Sequence, residues 1–336
     1  MLGTTRLKRL IVGNMEEMAA PDLDPALLKA GARVQVPKDD RHLSFASLLE
    51  NDGAFEPHAI ADPVEAIAVL QYTGGTTGLP KGAMLTHANL SAAVSQAWET
   101  TNGGTPPVLL EGQERVLAVL PPFHIYALTA NVLFGLRGAA EVILHARFDI
   151  EAVLNEIVEN QVTAFCGVPT MFSAVINRPG VETLDLRSLK YCGSGGAPLP
   201  LEVARQFQRL TGCPLCEGWG MTETSPTGTF TPLHGQRKPG SCGLPMPRIV
   251  IKFLDLSDES KYVPLGERGE ICIGGPNVMK GYWNKPEATA AVTTFDGLMR
   301  TGDVGFMDTD GFVSIVDRCK DMLLCSGYNV YPRVLE

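Results

Sequence analysis

Residues 72–82 read Tyr-Thr-Gly-Gly-Thr-Thr-Gly-Leu-Pro-Lys-Gly. Glycines let a loop fold its backbone N–H groups around an anion, threonines add hydroxyl donors, and Lys81 adds a mobile positive charge. That composition suits a phosphate. The run is not a Walker A loop: Lys81 follows Pro80 rather than Gly, and Gly82 replaces the Ser or Thr that would hold magnesium. The plain alternative is a flexible turn between a strand and a helix. The length of the run and its closing Pro80-Lys81-Gly82 weigh against that. Two other runs carry less. Gly193-Ser194-Gly195-Gly196-Ala197-Pro198 begins like a dinucleotide-binding turn, but Pro198 stands where the third glycine should be, which excludes NAD. Cys213 and Cys216 have CxxC spacing. A zinc site needs four ligands, and no second CxxC or HxxxH completes one. A redox pair would want its first Cys at a helix start. Here it follows Thr211-Gly212, a helix stop, and leads into a strand.

Groups like these must be held by a scaffold. Short apolar strands alternate with amphipathic helices through the first two thirds of the chain. Strands are predicted at 66–71, 116–120, 141–145, 162–167 and 189–192. Helices are predicted from about Thr86 and over 126–136, 150–160, 169–176 and 201–210. Such βαβ units demand a parallel sheet with helices on its faces. Near Pro239 the pattern changes to short strands at 249–253, 270–273, 304–307 and 312–316. Asp308-Thr309-Asp310-Gly311 joins the last two as a tight hairpin, and the set reads as a small antiparallel sheet or barrel. The expected division is therefore 1–238 for the α/β part, 239–317 for the β-rich part, and 318–336 for a hinge and the start of a truncated C-terminal domain.

The chain has 336 residues, 45% hydrophobic and 19% charged, with a net charge of -9. Those proportions suit a globular protein with a large core. No block of Lys or Arg stands out, so no nucleic acid is expected as a partner. The most apolar stretch, Ala127 to Leu144, is interrupted by Arg137 and Glu141 and fails the criterion for a membrane span. Peripheral contact with a membrane is compatible with this. The N-terminus lacks the apolar run of a secretory signal. The eight cysteines are scattered through apolar segments and read as reduced core residues of a cytoplasmic protein.

The run TGGTTGLPKG resembles the phosphate loop of the adenylate-forming superfamily, which includes acyl-CoA synthetases and peptide-synthetase adenylation domains. Five further segments match in the family's order. They are Leu120-Pro121-Pro122-Phe123-His124-Ile125-Tyr126-Ala127-Leu128, Ser194-Gly195-Gly196-Ala197-Pro198, Gly218-Trp219-Gly220-Met221-Thr222-Glu223-Thr224, Thr301-Gly302-Asp303, and Asp317-Arg318 with Lys320-Asp321 and Ser326-Gly327-Tyr328-Asn329-Val330. The wording of the loop and of GWGMTETSP is most similar to bacterial medium- and long-chain fatty acyl-CoA synthetases. The fold implied is the large α/β domain of that family with its appended β-rich part.

The resemblance also implies a chemistry and a site. A carboxylate oxygen attacks the α-phosphorus of ATP, pyrophosphate leaves, and CoA then takes the acyl group. Magnesium, a cation and N–H or O–H donors must meet the charge that builds on the phosphoryl oxygens. Thr73, Gly74, Gly75, Thr76, Thr77, Gly78 and Lys81 would cradle phosphate. Thr222 would contact phosphate and Glu223 would hold Mg2+. Gly195, Gly196 and Ala197 would lie against adenine, with Gly195 also beside the acyl chain. Trp219 stands where the family usually has Tyr; its indole can stack on the base but loses any phenol contact. Asp303 would accept from two ribose hydroxyls, although a turn-forming Asp reads the same way. Arg318 would add a donor, Lys320 would be the hinge, and His124 would border the acyl channel unless it is a core histidine.

The segment from Phe123 to Leu136 is aromatic and aliphatic, which favours a fatty acid over an amino acid, whose ammonium would need a buried carboxylate. Rival readings are an aryl-acid CoA ligase, a peptide-synthetase adenylation domain, and a non-catalytic nucleotide- or acyl-binding module. The family's small C-terminal domain, with its adenylation lysine, has no counterpart before Glu336, and the family has more sheet ahead of the phosphate loop. The expectation is a truncated chain with impaired activity.

Overall fold

The computed structural model describes residues 7–13, 39–73, 80–319 and the backbone of 323–325 and 328–330. Residues 1–59 and 60–336 form two compact units. In the first, β1 (Leu10–Val12) and β2 (His42–Ser44) pair in parallel, and α1 (Phe45–Leu49) starts where the Ser44 hydroxyl accepts from the Ser47 N–H.

The second unit opens with an antiparallel pair, β3 (Ile67–Thr73) and β4 (Lys81–Thr86), in which Thr73 stands opposite Lys81. The sequence pattern predicts no second strand here, and it counts β3 among the parallel strands. Both expectations are corrected. β4 reads Lys-Gly-Ala-Met-Leu-Thr, five of whose six residues lack strong strand propensity, and pairing with a neighbour decides its state. The chain then turns into α2 (His87–Asn102). Thr86 caps it: its hydroxyl accepts from the Asn89 N–H while the Asn89 side chain accepts from the Thr86 N–H.

The parallel sheet is formed by β5 (Arg115–Ala118), β6 (Glu141–Leu144), β7 (Ala164–Gly167), β8 (Tyr191–Ser194) and β9 (Leu215–Gly220). Between β5 and β6, α3 (Ile125–Ala127), a π-helical stretch (Leu128–Leu133) and α4 (Phe134–Arg137) run end to end. The other crossovers are α5 (Ile150–Glu159), α6 (Pro169–Asn177) and α7 (Leu201–Thr211). Alternate strand residues face opposite layers. Leu117 and Phe165 pack with Leu154, Ile157, Phe172 and Phe207. Val116, Ala164 and Cys166 pack with Trp98 and Phe134. Helices therefore cover both faces, as the βαβ pattern requires.

The sheet continues past the parallel set through β10 (Thr227–Phe230) and β11 (Leu244–Pro245), both antiparallel, giving the order β11-β10-β9-β8-β7-β5-β6. Its outermost strand thus comes from residues beyond 238. A Cβ on Gly220, where β9 turns toward β10, would sit 1.9 Å from the Pro226 carbonyl oxygen. Only glycine permits that crossing.

The second sheet is β12 (Val250–Leu254), β13 (Gly269–Gly274), β14 (Met299–Met307) and β15 (Val313–Arg318), antiparallel in that order, with α8 (Pro286–Ala290) between β13 and β14. The Asp308–Gly311 hairpin forms as predicted: Asp308 Oδ1 accepts from the N–H groups of Asp310 and Phe312. β14 begins at Met299, earlier than the sequence pattern places it, because Thr301-Gly302-Asp303 is a bulge inside the strand and not a turn before it. Gly302 has φ 77°, the left-handed backbone that such a bulge takes at glycine. Beyond it, β16 (Leu323–Cys325) and β17 (Tyr328–Val330) pair antiparallel. Among the described residues, no helix is long and apolar enough to cross a membrane.

Candidate active site

In a doubly wound sheet, ligands bind outside the carboxyl ends of the strands where the strand order reverses. Here β6 lies on one side of β5 and β7 on the other, so the reversal falls beside β5. Tyr126, in the first turn after β5, spans the gap. Its hydroxyl lies 3.3 Å from the Gly167 carbonyl oxygen at the end of β7 and 3.2 Å from that of Gly193 in β8.

A cavity of about 1240 Å³ opens over these strand ends. Its wall includes Thr73 and Lys81 from the β3–β4 pair, His124, Gly195 and Gly196, then Trp219, Thr222 and Glu223 after β9, and Gly302 and Arg318 from the second sheet. Ten motif positions scattered over 246 residues of sequence thus face one space. Ala197 is exposed and is not part of that wall. Gly74, Gly75, Thr76, Thr77, Gly78 and Lys320 lie outside the described residues. One part of the remaining wall is apolar. Ala93 and Ala97 of α2, Ala130, Phe134, Phe230 and Met246 line it.

His124 is exposed at the rim rather than in the core. Its Nδ1 accepts from the Tyr126 N–H at 3.1 Å and caps α3. That bond assigns the proton of a neutral ring to Nε2.

Asp303 is buried behind the wall. Its Oδ2 accepts from the Trp219 indole N–H at 2.9 Å, and its Oδ1 pairs with the Arg318 guanidinium at 3.1 Å. The Asp303 bulge is itself clamped by Glu270. One oxygen of Glu270 accepts from the Gly302 N–H at 3.1 Å, and the other from the Arg300 guanidinium at 2.9 and 2.6 Å.

Glu223 sits in a 3₁₀ turn, Thr222–Thr224, and is 5% exposed. Its Oε1 accepts from the Tyr282 hydroxyl at 2.7 Å. Among the described residues no basic side chain is bonded to it. A buried carboxylate without a basic partner is costly unless a cation joins it. A carboxylate oxygen ligand on the wall of this cavity suits Mg2+. The Lys81 ammonium rests 4.9 Å from the centre of the Tyr282 ring. Burial, reinforced by the Glu223 carboxylate, pushes the Tyr282 hydroxyl well above the usual tyrosine range, so it keeps its proton and donates.

Tyr126 falls within the Leu120–Leu128 segment, but sequence motifs do not point to Tyr282 or Glu270. Tyr282 lies in Met279-Lys280-Gly281-Tyr282-Trp283, a loop without periodicity; a lone Gly-aromatic pair was its only signal. The two cysteines with CxxC spacing are buried. Burial pushes the Cys216 thiol up to about 12, so it holds its proton.

A family model described as AMP-binding enzyme matches residues 1–283. The chain belongs to the AMP-binding enzyme family. A long-chain-fatty-acid–CoA ligase of Bacillus subtilis (strain 168) is 44% identical over 277 residues, which cover 82% of this chain and 48% of that protein. A feruloyl-CoA synthase of Amycolatopsis sp is 39% identical over 335 residues, covering 95% of this chain and 65% of that one. The crystal structure of ATP bound MatB from Rhodopseudomonas palustris superimposes with a TM-score of 0.77 at 30% identity, covering 98% of this chain and 62% of that one. The chain therefore spans about half the length of the fatty-acid ligase that it matches, at 48%. The α/β architecture of this family is the one expected from the motifs.

Proposed function

We propose that this chain carries the nucleotide and acyl sites of an ATP-dependent fatty acid–CoA ligase. The observation that supports this most is the convergence of Lys81, Glu223 and Trp219, with Asp303 bonded behind it, on one cavity that also has an apolar stretch of wall at Ala93, Ala97, Ala130, Phe134 and Phe230. In this reading Thr73, the loop to Gly78 and Lys81 hold the ATP phosphates, with Thr222 beside them. Glu223 holds Mg2+, which when bound neutralises phosphate charge. Asp303 and Arg318 hold the ribose. Gly195, Gly196 and Trp219 flank the adenine, whereas Ala197, which is off the wall, does not. Residues 1–238 supply the phosphate and acyl walls, 239–317 the ribose wall, and Lys320 the hinge.

The substrate carboxylate oxygen forms a bond to the α-phosphorus as the bond to pyrophosphate breaks. The CoA sulfur then bonds to the acyl carbon and AMP leaves, the thiol proton passing to solvent. Lys81 and the donors around it stabilise charge that is greatest in the first transition state. The acyl tail lies along Ala93, Ala97 and Ala130, small side chains that leave room for methylenes. An aryl acid is the second reading, supported by the match to a feruloyl-CoA synthase and by the rings of Phe134, Tyr191 and Phe230 on the same wall.

Calorimetric titration of ATP with Mg2+ tests the nucleotide site. Lys81→Ala should weaken binding about tenfold or more, the worth of a charge-assisted contact. Unaltered binding by the folded variant would remove Lys81 from the site. Displacement of a fluorescent fatty acid by palmitate, ferulate and amino acids then separates the acid classes. Palmitate should compete best, whereas competition by ferulate alone would establish the aryl reading.

A further inference from the structure

Residues 279–283 run beside β4 as a third chain. The Lys280 N–H donates to the Met84 carbonyl, the Met84 N–H to Gly281, and the Trp283 N–H to Gly82. At its other end the Met279 N–H donates to the Glu223 carbonyl at 2.8 Å. One short segment is thus hydrogen-bonded both to the strand that begins with Lys81 and to the turn that carries Glu223. Tyr282 is its central side chain, 7% exposed. The hydroxyl reaches Glu223 at 2.7 Å and the ring lies under the Lys81 ammonium.

We propose that Tyr282 is a positioning residue with two separable tasks: its hydroxyl orients the Glu223 carboxylate toward a divalent cation, and its ring seats Lys81 beside the phosphates. This rests on the reading of Glu223 as the metal carboxylate. A carboxylate held by a donor on one oxygen presents the other in a fixed direction. Without that donor it samples other rotamers, and ordering it on metal binding costs affinity. An ammonium over an aromatic face is attracted to the ring and not to the hydroxyl. Removal of the hydroxyl alone should therefore touch the cation and spare the lysine.

The test measures Mn2+, as a probe for Mg2+, by electron paramagnetic resonance in the presence of ATP, and metal-free ATP binding by calorimetry. Tyr282→Phe keeps the ring and the buried volume. It should weaken Mn2+ about tenfold or more, as loss of an outer partner does at metal sites, and leave metal-free ATP binding within error. Tyr282→Ala should weaken Mn2+ similarly and also weaken metal-free ATP about twofold to fivefold, the scale of an exposed cation–π contact. A merely structural role would move both quantities together, or neither, in Tyr282→Phe, and either result overturns the proposal. Glu223→Gln separates the two levels. If it leaves Mn2+ affinity unchanged, the metal reading of Glu223 fails and the proposal falls with it. If it weakens Mn2+ while Tyr282→Phe does not, the role of Tyr282 alone is refuted. If Tyr282→Ala does not fold, Tyr282→Phe with its unchanged volume still decides the hydroxyl.

Discussion

At the scale of single residues, the departure at Trp219 shows how one substitution rewires a contact. An indole has no oxygen to offer, but it has an N–H, and here that group donates to Asp303 at 2.9 Å. The carboxylate proposed to hold the ribose is thus oriented by the ring proposed to flank the base. Its other oxygen meets Arg318, whose side chain is 64% exposed and whose contribution is correspondingly screened. Trp219 therefore matters more to the orientation of Asp303 than the ion pair does. Trp219→Phe keeps an aromatic face and removes only the donor. It should weaken AMP about fivefold, near 1 kcal/mol for one hydrogen bond. Arg318→Gln should weaken it less. Titration of AMP into the two variants checks the order; a larger loss in Arg318→Gln would make the guanidinium the orienting group.

At the scale of elements, what could be read from the sequence was what periodicity and glycine chemistry reveal. The alternation at Val116-Leu117 and Ala164-Phe165-Cys166 announced strands covered on both faces, and each crossover helix carried its own apolar stripe. The short strand at Lys81–Thr86 did not announce itself, because its pairing with 67–73 and 279–283 is non-local. The same holds for Tyr282, whose partners lie 59 residues away in sequence at Glu223 and further still at Lys81. Motifs found the polar groups of the site, and Trp219 and Arg318 that hold Asp303, but not Tyr282 and Glu270, which hold Glu223 and the Asp303 bulge. The opposite end of the sheet shows the same division between stability and function. Glu114 precedes β5, is 3% exposed, and accepts from the Leu110 N–H and the Lys190 ammonium at 2.8 and 2.9 Å. Burial alone would raise its carboxyl, but these donors and the Thr163 hydroxyl outweigh burial and hold it below the usual value of 4.5. A carboxyl with a lowered folded value stabilises fully above its unfolded value, and that stability disappears as pH falls through the folded one. Glu114→Gln should therefore cost about 1.5 kcal/mol at neutral pH, with the gap to wild type closing as pH drops below about 4.5. Because Glu114 is at the amino ends of the strands, ATP affinity should not change. Denaturant unfolding at pH 7 and pH 3.5, beside ATP titration, measures both; a gap that widens in acid would contradict the assignment.

At the scale of the whole molecule, the two sheets matter through the space between them. The wall formed by the parallel sheet and its helices is apolar around Ala93, Ala97 and Phe230, while Lys81, Glu223 and the Asp303 bulge make another part of the same cavity polar. In the proposed reading a fatty acid and a nucleotide would each use only part of this surface, but an acyl-adenylate would use both. Joining two ligands that occupy adjacent parts of one cavity saves the cost of immobilising the second, so their linked form binds more tightly than either alone. A palmitoyl sulfamate of adenosine, which cannot be hydrolysed or discharge its acyl group, should therefore bind at least about 100-fold tighter than AMP. It should raise the unfolding midpoint more than saturating AMP and palmitate added together, since stabilisation follows ligand concentration over dissociation constant. Shortening the acyl chain to acetyl should return the affinity close to that of AMP, because only the methylenes reach the wall of small side chains. If the palmitoyl and acetyl compounds bind alike, the apolar wall does not take the acyl chain, and the cavity would be a nucleotide site with an unrelated apolar neighbour.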